Sequence, residues 1–436
     1  MKGSLTFKRG GVHPDDSKSL TSGLPIIRMP MPAELVIPLS EHIGAPAQPT
    51  VVVGDSVRRG QKIAGAQGYI SANIHTPATG RVVDIRKVRL CNGVETDAVV
   101  VACDAEQPEV LTECEDWRTR TAEDLVGKIR DMGVVGAGGA MFPADVKFTV
   151  APDRKVDALL INGSECEPFL TSDHRLMLEH AEELLEGIQI LRHILSPART
   201  VIGIEENKAD AIELLKAKVH EAGLSIEVQS LKMKYPEGDE KMLINAILGR
   251  EVPQGKLPID AGAIVSNIST VYAVRQACVL QQPFMERVVT VTGECIAAPA
   301  NVLAPIGTKV SDIIAFCGGY SSTPGRLVSG GPMMGFEMVE DVPLTKGMGG
   351  ILALPPRKPV AITPCISCGR CVDVCPIGLS PTLMFKYIGI GDIKAALDLN
   401  LMDCKECGSC SYVCPAHIPL VDGFKYGKKM RRTVAQ

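Results

Sequence analysis

Two short runs near the carboxyl end hold eight of the chain's fifteen cysteines. The runs are CISCGRCVDVCP, from Cys365 to Pro376, and CKECGSCSYVCP, from Cys404 to Pro415, and both have the spacing CxxCxxCxxxCP. Thiolates at such spacing bind metal, either as a zinc site or as an iron–sulfur cluster. Zinc sites are usually built from two CxxC halves, and a third cysteine three residues on, followed by Cys-Pro, is a different arrangement. The repeat therefore predicts two four-iron clusters.

The ligands of the two clusters are expected to interleave. In two-cluster proteins with this spacing, three cysteines of a run hold one cluster and the fourth ligates the other. The predicted first cluster site is Cys365, Cys368, Cys371 and Cys414. The predicted second cluster site is Cys404, Cys407, Cys410 and Cys375. The clusters should therefore lie close together, and loss of either run should damage both.

Composition and charge limit what the rest of the chain can do. A chain of 436 residues with 45% apolar and 22% charged residues predicts a globular protein of about three domains. A net charge of −4 gives no general attraction for nucleic acid or an anionic membrane. No window approaches 18 uninterrupted apolar residues, and the first residues lack the apolar stretch of a signal peptide. We expect a reducing, cytosolic compartment, no transmembrane segment and no nucleic-acid partner.

The first domain, residues 1–115, is predicted to be a small all-β unit. Its strands are expected at 34–39, 50–54, 61–65 and 80–85. The phrases VGDSVRRGQKI and HTPATGRVV resemble the lipoyl or biotinyl barrel-sandwich hybrid, in which a modified lysine sits at a hairpin tip. The corresponding tip, near Gln67 to Ile70, has no lysine, which favours a docking or structural role.

The second domain, residues 116–285, is predicted to be an α/β layer. A helix at 121–132 begins after Thr121, and apolar strands then alternate with amphipathic helices. The strands are expected at 156–161, 200–204 and 225–229, and the helices at 172–195 and 208–222. This alternation predicts a parallel sheet that binds ligands where loops leave the carboxyl ends of its strands.

Three further parts complete the predicted multidomain α/β and α+β fold. Residues 286–355, with a strand at 288–293, a helix at 311–319 and RLVSGGPMMGF at 326–336, indicate a β-grasp unit. Residues 356–420 form the two-cluster domain, and helices expected at 381–389 and 391–400 between the cysteine runs favour its helical form. Residues 421–436 are a basic tail, expected to be solvated and frayed, with a contact to acidic lipid or a partner as the alternative.

Four loops of the second domain are candidates for a cofactor site. VVGAGGAMFP at 134–143 follows a helix rather than a strand, so it is not the dinucleotide fingerprint, and alone it could be a helix cap and a turn. INGSECEP (161–168), IEEN (204–207) and SNIST (266–270) all follow predicted strands. They bring carboxylates, amides and hydroxyls to the ligand-binding edge of the sheet, and the last suits a phosphate.

The chemistry of the clusters indicates which cofactor these loops bind. Iron–sulfur clusters pass single electrons, whereas a nicotinamide gives or takes a hydride, and flavin is the cofactor competent in both. A flavin ring needs a slot lined by backbone, which Gly138 and Gly139 can provide. Its phosphate needs donors, for which the candidates are Lys147, Asn267, Ser269 and Thr270.

These segments together resemble a known family. VGAGGAMFPADVK, INGSECEPFLTSDHRLM, YPEGDEKMLINAILG and SNISTVYAV are similar to the FMN- and NADH-binding fold of the complex I flavoprotein subunit. The order of flavin domain, β-grasp unit and clusters is similar too. With FKRGGVHP at 7–14, the barrel-sandwich unit and the paired cysteine runs, the whole chain resembles the RnfC family of peripheral subunits of Rnf ferredoxin:NAD oxidoreductases.

The resemblance implies roles for individual residues. It implies that Gly136, Gly138, Gly139 and Lys147 line FMN. It implies hydrogen bonds to the flavin or its ribityl chain from Asn162, Glu165 and Asn267, and to the phosphate from Thr270. It places Glu167, Glu205 and Phe142 against the dinucleotide, with Phe142 stacking. The chain departs from complex I flavoproteins at Ala137, where they have arginine, and at Leu257, near an aromatic position.

The function implied is electron transfer within a membrane-bound, ion-translocating assembly. Hydride would move between NAD(H) and FMN, and single electrons would pass through two 4Fe–4S clusters to the other Rnf subunits. The resemblance implies a peripheral position on the cytoplasmic face of a bacterial or archaeal membrane, and no side chain is needed as acid or base. Two alternatives are a soluble cobalamin reductase of the microcompartment type, which is similar chiefly from the glycine loop onward, and a cluster-only electron wire.

Overall fold

The computed structural model describes residues 3–108 and 114–431. Four packed units follow one another along the chain, and the N-terminal segment contacts three of them. Leu5 and Val12 form bridges with Leu231 and Tyr235 of the second unit. The first strand, β1 (Ile26–Arg28), belongs to the sheet of the third unit. The barrel-sandwich unit therefore begins only after this segment, later than the sequence-based boundary at residue 1.

The barrel-sandwich domain consists of two small sheets that enclose one apolar core. Its strands are β2 (Glu34–Pro38), β3 (Gln48–Pro49), β4 (Ser56–Val57), β5 (Lys62–Gly65), β6 (Ile74–His75), β7 (Gly80–Arg89) and β8 (Glu95–Cys103). The sheets have the orders β2-β8-β7-β4 and β3-β5-β6. The core between them includes the fully buried side chains of Leu35, Ile63 and Val99. The all-β prediction for this region is confirmed.

The strand expected at 50–54 does not form. The amide of Val52 donates to the carboxylate of Asp55 over 2.9 Å, which closes a turn at this point. Val52 and Val53 are 65% and 58% exposed, so no core draws them into a sheet. The β-branched run predicted a strand, but the turn residues Gly54 and Asp55 decide the local structure.

The second unit, the α/β domain, is built on a four-stranded parallel sheet. Its strands β9 (Ala158–Gly163), β10 (Arg199–Glu205), β11 (Glu227–Leu231) and β12 (Ala263–Asn267) have the order β11-β10-β9-β12. Every neighbouring pair is parallel, as the alternating pattern predicted. The carboxyl ends of β9, β10 and β12 therefore meet at one edge, which places the three predicted loops side by side.

Seven helices cover this sheet. They are α1 (Ala122–Asp131), α2 (Ala144–Phe148), α3 (Ser172–Glu179), α4 (Ala181–Leu195), α5 (Ala209–Glu221), α6 (Glu240–Leu248) and α7 (Ile268–Val279). Thr121 caps α1 by accepting from the amide of Asp124, as its position predicted. The single helix expected at 172–195 is two helices, because His180 leaves the helical conformation at φ −129° and ψ 37°.

The third unit is the β-grasp domain. It contains β13 (Glu286–Thr292), β14 (Ala300–Pro305), α8 (Val310–Phe316), β15 (Arg326–Ser329), β16 (Phe336–Glu337) and β17 (Gly350–Leu354). The sheet order is β1-β14-β13-β17-β15-β16, with Ile26 of β1 opposite Asn301. The N-terminal strand thus covers an edge of β14 that would otherwise be unpaired.

The fourth unit is the cluster domain, which has the helical form predicted. Its helices are α9 (Arg370–Asp373), α10 (Pro381–Gly389), α11 (Ile393–Asp398), α12 (Ser409–Tyr412) and α13 (Leu420–Met430). The tail expected to be frayed is instead the packed helix α13, which buries Leu420, Phe424 and Gly427. These positions form an apolar stripe at helical spacing that the neighbouring basic residues mask. Residues 432–436 lie outside the described part of the chain.

Candidate redox centre

The four predicted ligands of the second cluster site surround one cavity. Cys375, Cys404, Cys407 and Cys410 line it together, between α10, α12 and α13. Protein atoms leave about 360 Å³ empty here, part of it open to solvent. The rest of the wall is largely apolar and includes Ile377, Leu379, Met384, Val421 and Phe424. Four thiols from both runs in an apolar shell fit the donor set of a 4Fe–4S cluster.

The two cysteine runs have the same local backbone geometry. Ser367 and Glu406 both adopt a left-handed conformation with φ 56°. Their amides donate to the sulfurs of Cys365 and Cys404, each over 3.4 Å. A left-handed conformation is strained for a residue with a side chain, so its repetition indicates that each run is shaped around the ligand it holds. Amide-to-sulfur hydrogen bonds are among the contacts that tune cluster potentials.

Further contacts support the second cluster site from outside. The amide of Leu379 donates to the sulfur of Cys375 over 3.2 Å. Lys428 of α13 donates to the carbonyl of Cys404 over 2.6 Å and to Glu406 over 2.7 Å. Burial raises the pKa of Cys404 to about 11, so this thiol would be ionised at neutral pH only when bound to a metal.

The first cluster site is more open to solvent. Cys365 and Cys368 are exposed, Cys371 is buried and Cys414 is half-buried. The hydroxyl of Thr382 lies 3.6 Å from the sulfur of Cys365 and also interacts with Cys371, so these two ligands share one neighbour. Over residues 3–108 and 114–431, no three His, Cys, Asp or Glu side chains converge closely enough to hold one metal ion, which is the geometry zinc requires.

The glycine loop, residues 134–143, folds as a closed hairpin between α1 and α2. Gly136 donates to the carbonyl of Phe142 over 2.8 Å and accepts from Met141 over 3.1 Å. Gly139 has φ 97° and open space where a side chain would stand. The loop thus presents bare backbone at its tip, as a flavin ring requires.

This loop packs against the amino end of α7. The amide of Ala137 donates to the hydroxyl of Thr270 over 2.9 Å. A side chain at Gly138 would stand 3.3 Å from the Cβ of Asn267. The structure therefore brings together Gly138, Asn267 and Thr270, which sequence analysis had assigned separately to one cofactor.

Asp173 is a member of this site that sequence analysis missed. Its carboxylate accepts from the amide nitrogen of Asn267 and from the hydroxyl of Ser269, each over 2.6 Å. Burial, reinforced by the nearby charge of Glu165, raises the pKa of Asp173 to about 6. Asp173 therefore fixes the orientation of two predicted phosphate donors, and only its acidic type in the first turn of α3 could have drawn attention to it.

The loop after β9 binds mainly to the protein itself. The side-chain amide of Asn162 donates to the carbonyl of Gly238 over 2.8 Å. Glu165, at φ 47°, accepts from the amides of Asp173 and His174 at 2.7 and 3.2 Å, and so caps α3. In contrast, the hydroxyls of Ser164 and Ser266 are buried at this edge without a hydrogen-bond partner. Two orphaned buried hydroxyls fit an edge that receives a polar ligand.

Two buried lysines, Lys18 and Lys208, lie behind the same edge, and sequence analysis identified neither. Lys208 donates to the carbonyl of Ser164 over 2.7 Å and lies 3.4 Å from the carboxylate of Glu205. Lys18 donates to the carbonyl of Glu165 over 3.0 Å. Burial raises the pKa of Glu205, against the opposing charge of Lys208, and lowers the pKa of Lys18. These charges hold the loop after β9 in place and make the edge more attractive to anions.

Glu167 lies where three units meet. Its two carboxylate oxygens accept from the amides of Met333 and Met334, in the β-grasp domain, at 3.0 and 2.9 Å. The hydroxyl of Tyr235 lies 3.3 Å from the same carboxylate and donates to the carbonyl of Cys407 over 2.8 Å. The ligand edge of the α/β sheet is thereby joined directly to the second cluster site.

The other predicted residues lie around the glycine loop. Lys147 donates to the carbonyl of Val265 over 2.8 Å and pairs with Glu240. Phe142 is half-buried at the end of the loop. Arg287, which sequence analysis did not consider, reaches from β13 to the carbonyl of Ala137 over 3.4 Å, and burial lowers its pKa to about 10. The β-grasp domain thus supports the loop from behind.

Comparisons with known protein families match every unit. Residues 5–106 match the RnfC barrel sandwich hybrid domain, and residues 129–276 match the Nuo51 FMN-binding domain. Residues 288–337 match the SLBB domain, and residues 364–418 match a 4Fe-4S dicluster domain. The predicted fold classes of all four units are confirmed. Among the residues described, no helix is both long and apolar enough to span a membrane.

Curated relatives, each a subunit of a redox-driven ion pump, resemble the chain over nearly its whole length. It is 44% identical over 435 residues to a subunit of the proton-translocating ferredoxin:NAD(+) oxidoreductase complex of Clostridium ljungdahlii, covering 98% of this chain and 94% of the relative. It is 43% identical to a subunit of the ion-translocating oxidoreductase complex of Rhodobacter capsulatus, with coverages of 96% and 82%. It is 40% identical to a subunit of the Na(+)-translocating ferredoxin:NAD(+) oxidoreductase complex of Acetobacterium woodii, with coverages of 88% and 87%.

Solved structures support the fold alone. A chain of an NAD+-reducing [NiFe]-hydrogenase superposes with a TM-score of 0.51 at 16% identity. The match covers 72% of this chain and 61% of the hydrogenase chain.

Proposed function

Because the chain belongs to the RnfC family of subunits of ion-translocating ferredoxin:NAD(+) oxidoreductase complexes, we propose that it carries electrons between NAD(H) and the other subunits of such a complex. The carriers are FMN and two 4Fe–4S clusters. When bound, FMN exchanges a hydride with the nicotinamide, which carries two electrons, and passes these electrons singly to clusters that accept one each. The chain's own residues bind, orient and shield these groups.

One observation carries the proposal. The hydroxyl of Tyr235 donates to the carbonyl of Cys407, and the same hydroxyl lies 3.3 Å from Glu167 in the loop after β9. A ligand of the second cluster site is therefore separated by one side chain from the edge where FMN would bind. This contact supports an order in which the second cluster is nearest the flavin and the exposed first cluster faces the next carrier.

For FMN, the proposal assigns the backbone of Gly136, Gly138 and Gly139 to the ring and the amino end of α7, with Thr270, to the phosphate. Asp173 holds Asn267 in the orientation that this binding needs. Asn162, Glu165 and Lys147 complete the FMN assignment; because each already binds protein groups, we assign them mainly to shaping the site.

For the dinucleotide, the proposal keeps Phe142 and Glu205. Phe142 would stack, and the carboxylate of Glu205 would face the incoming ring. Glu167 is placed beside the dinucleotide, since protein donors already occupy both of its oxygens. Hydride transfer needs no acid or base from the chain.

The proposal places the chain against a membrane-embedded assembly on its cytoplasmic face, where NAD(H) and reduced ferredoxin are available. The relatives' names describe proton and Na(+) translocation by their complexes. We assign ion movement to the partner subunits. The cysteines of the described residues are all free thiols, in keeping with a reducing compartment.

Flavin and iron content, followed by reduction with NADH, test this function. The chain reconstituted with FMN and iron–sulfide should bind one flavin and about eight iron atoms, four per cluster. NADH should bleach the flavin and then reduce a cluster, and cob(II)alamin should not reoxidise the protein. About eight iron atoms with no flavin would instead leave an electron wire, and rapid cob(II)alamin reduction would favour the cobalamin reductase.

A further inference from the structure

The N-terminal segment Leu5–Val12, named here the N-terminal strap, has no role in the function described so far. Its sequence, LTFKRGGV, includes most of the FKRGGVHP motif. The strap leaves the barrel-sandwich domain behind and runs along the seam between the α/β domain and the cluster domain. Its contacts at both sides of this seam indicate a specific task.

On one side, the strap is bound to the α/β domain. Leu5 donates to the carbonyl of Ser230 over 3.0 Å and accepts from the amide of Lys232 over 2.8 Å, which extends the sheet beside β11. Phe7 is buried, and the ammonium of Lys234 lies 4.0 Å from its ring. Val12 exchanges both backbone hydrogen bonds with Tyr235, each over 2.9 Å. The strap is therefore fixed next to Tyr235.

On the other side, the strap touches the backbone of the second cluster site. The amide of Gly11 donates to the carbonyl of Val374 over 2.9 Å, and the next residue is the ligand Cys375. Gly10 has φ 62°, and a side chain there would stand 2.6 Å from the carbonyls of Val374 and Cys375. Only glycine permits such a close approach in this conformation.

Both sides converge on one cluster. Gly10 and Gly11 reach Cys375 from the first cysteine run, and the hydroxyl of Tyr235 reaches the carbonyl of Cys407 from the second run. Cys407 also belongs to an apolar group with Val12 and Tyr235, so little water enters the seam. In contrast, Cys365 and Cys368 of the first site are exposed. Backbone hydrogen bonds and water exclusion around cluster ligands set the cluster's potential.

We propose that the N-terminal strap and Tyr235 are positioning elements that hold the second cluster site at a fixed place against the flavin edge of the α/β domain. The strap supplies the close backbone contact at Cys375, and Tyr235 supplies the hydroxyl at Cys407. Neither touches a reacting atom. Their effect is on the geometry and surroundings of the cluster, and the inference rests on the function proposed above.

Substitution of Gly10 by alanine tests the strap with a matched control. Gly10→Ala introduces a methyl group against the carbonyls of Val374 and Cys375, at a positive φ. Gly93→Ala has the same kind of strain, at φ 79°, but faces open space in the barrel-sandwich domain. Both variants are prepared as the full chain with FMN and clusters. Backbone strain alone would affect them equally, so a difference between them reports the contact with the cluster domain.

The expected result separates two steps in stopped-flow experiments. With Gly10→Ala, NADH should reduce the flavin at the rate of the unsubstituted protein, while the following cluster reduction should slow by about tenfold or more, since small misplacements have large effects on rate. Gly93→Ala should leave both steps unchanged. Loss of one cluster's iron with flavin reduction intact would also support the proposal. Unchanged cluster reduction in Gly10→Ala at full iron content would overturn it.

Spectroscopy of the dithionite-reduced protein gives a readout that does not depend on NADH. Tyr235→Phe removes only the hydroxyl at Cys407, and it should alter the electron paramagnetic resonance spectrum or midpoint potential of one cluster and leave the other unchanged. Identical spectra and potentials in Tyr235→Phe and Gly10→Ala would overturn the positioning role. If NADH fails to reduce the flavin of the unsubstituted protein, the proposed function fails, and these spectra still decide the role of the strap.

Discussion

The ammonium of Lys346 lies 3.9 Å from the carboxylate of Glu41, and both side chains are 1% exposed. Glu41 belongs to the barrel-sandwich domain and Lys346 to the β-grasp domain. Lys346 also donates to the carbonyl of Gly133 over 2.8 Å, just before the glycine loop. Burial raises the pKa of Glu41 to about 7, against the charge of Lys346, and lowers the pKa of Lys346. One buried cation thus links three units at the base of the flavin site.

Removing this cation should be costly. Lys346→Met leaves Glu41 buried without a counter-charge, and breaking a buried pair in this way costs roughly 3–5 kcal/mol. Lys309→Met is the matched control, because Lys309 pairs with Glu34 between the same two domains, at 2.9 Å, but is 38% exposed. An exposed pair contributes about 0–1 kcal/mol. Calorimetric unfolding should show a much larger loss for Lys346→Met, and equal losses would contradict the linking role.

The interleaved ligation predicts the iron content of cysteine variants. Cys375→Ser removes a thiol from the cavity formed with Cys404, Cys407 and Cys410, so the second cluster should be lost although its other three ligands lie in the other run. We expect the iron content to fall from about eight to about four atoms per chain or below. Cys114→Ser, at an exposed cysteine outside both runs, should retain all iron. Retention of both clusters in Cys375→Ser would refute the ligand assignment.

Thr270 should determine FMN affinity through the glycine loop. Its hydroxyl accepts from the amide of Ala137, so Thr270→Ala leaves a buried donor unpaired, at about 1–3 kcal/mol. The FMN dissociation constant of the apoprotein should then rise by about tenfold or more, measured by quenching of flavin fluorescence. Thr270→Ser keeps the hydroxyl and should restore most of the affinity. Equal affinities for the alanine and serine variants would show that this hydrogen bond is irrelevant to binding.

Glu167 distinguishes a structural role from a nucleotide contact. Glu167→Gln keeps one acceptor oxygen but turns an amide N–H toward a backbone donor, because Met333 and Met334 each bind one carboxylate oxygen. We expect a lower unfolding temperature, corresponding to about 1–3 kcal/mol, with the KM for NADH nearly unchanged. The exposed neighbour of Glu205 provides the control, Glu206→Gln, which should alter neither quantity. A raised KM at an unchanged unfolding temperature would place Glu167 in contact with the dinucleotide.

Local patterns were sufficient to predict much of this protein. The cysteine spacing gave both ligand sets, since the geometry of each run is set within a few residues. The alternation of apolar strands and helices predicted the parallel sheet, and therefore the edge where Asn162, Glu205 and Asn267 follow their strands. Thr121 was correctly placed as a helix cap because capping depends on a neighbour three residues away.

The missed residues depend on contacts between distant parts of the chain. Arg287 lies 150 positions from Ala137, whose carbonyl it binds, and Lys18 lies 147 positions from Glu165. Buried lysines and arginines look like surface residues in a sequence, because nothing local shows that another unit covers them. The same reason explains α13, whose apolar stripe is meaningful only once α10 is seen beside it.

The strap also affects stability as a function of pH, through Glu237. This side chain is fully buried; Thr6 of the strap donates to one oxygen over 2.7 Å, and the other has no hydrogen-bond partner. Burial raises its pKa from 4.5 to about 8, with Thr6 and Lys234 opposing and Glu205 reinforcing the shift. The folded protein therefore keeps this proton between about pH 4.5 and 8, while the unfolded chain releases it.

Stability should consequently fall as pH rises through this window. The folded state binds more protons, so this carboxyl contributes a slope of up to about −1.4 kcal/mol per pH unit, which levels off above pH 8. Glu237→Gln mimics the protonated form, so it should match the unsubstituted protein near pH 5 and become progressively more stable than it toward pH 8. Glu213→Gln, at an exposed position, is the control. Denaturant unfolding at several pH values measures the difference, and parallel curves for the unsubstituted protein and Glu237→Gln would show that Glu237 is ionised in the folded state throughout.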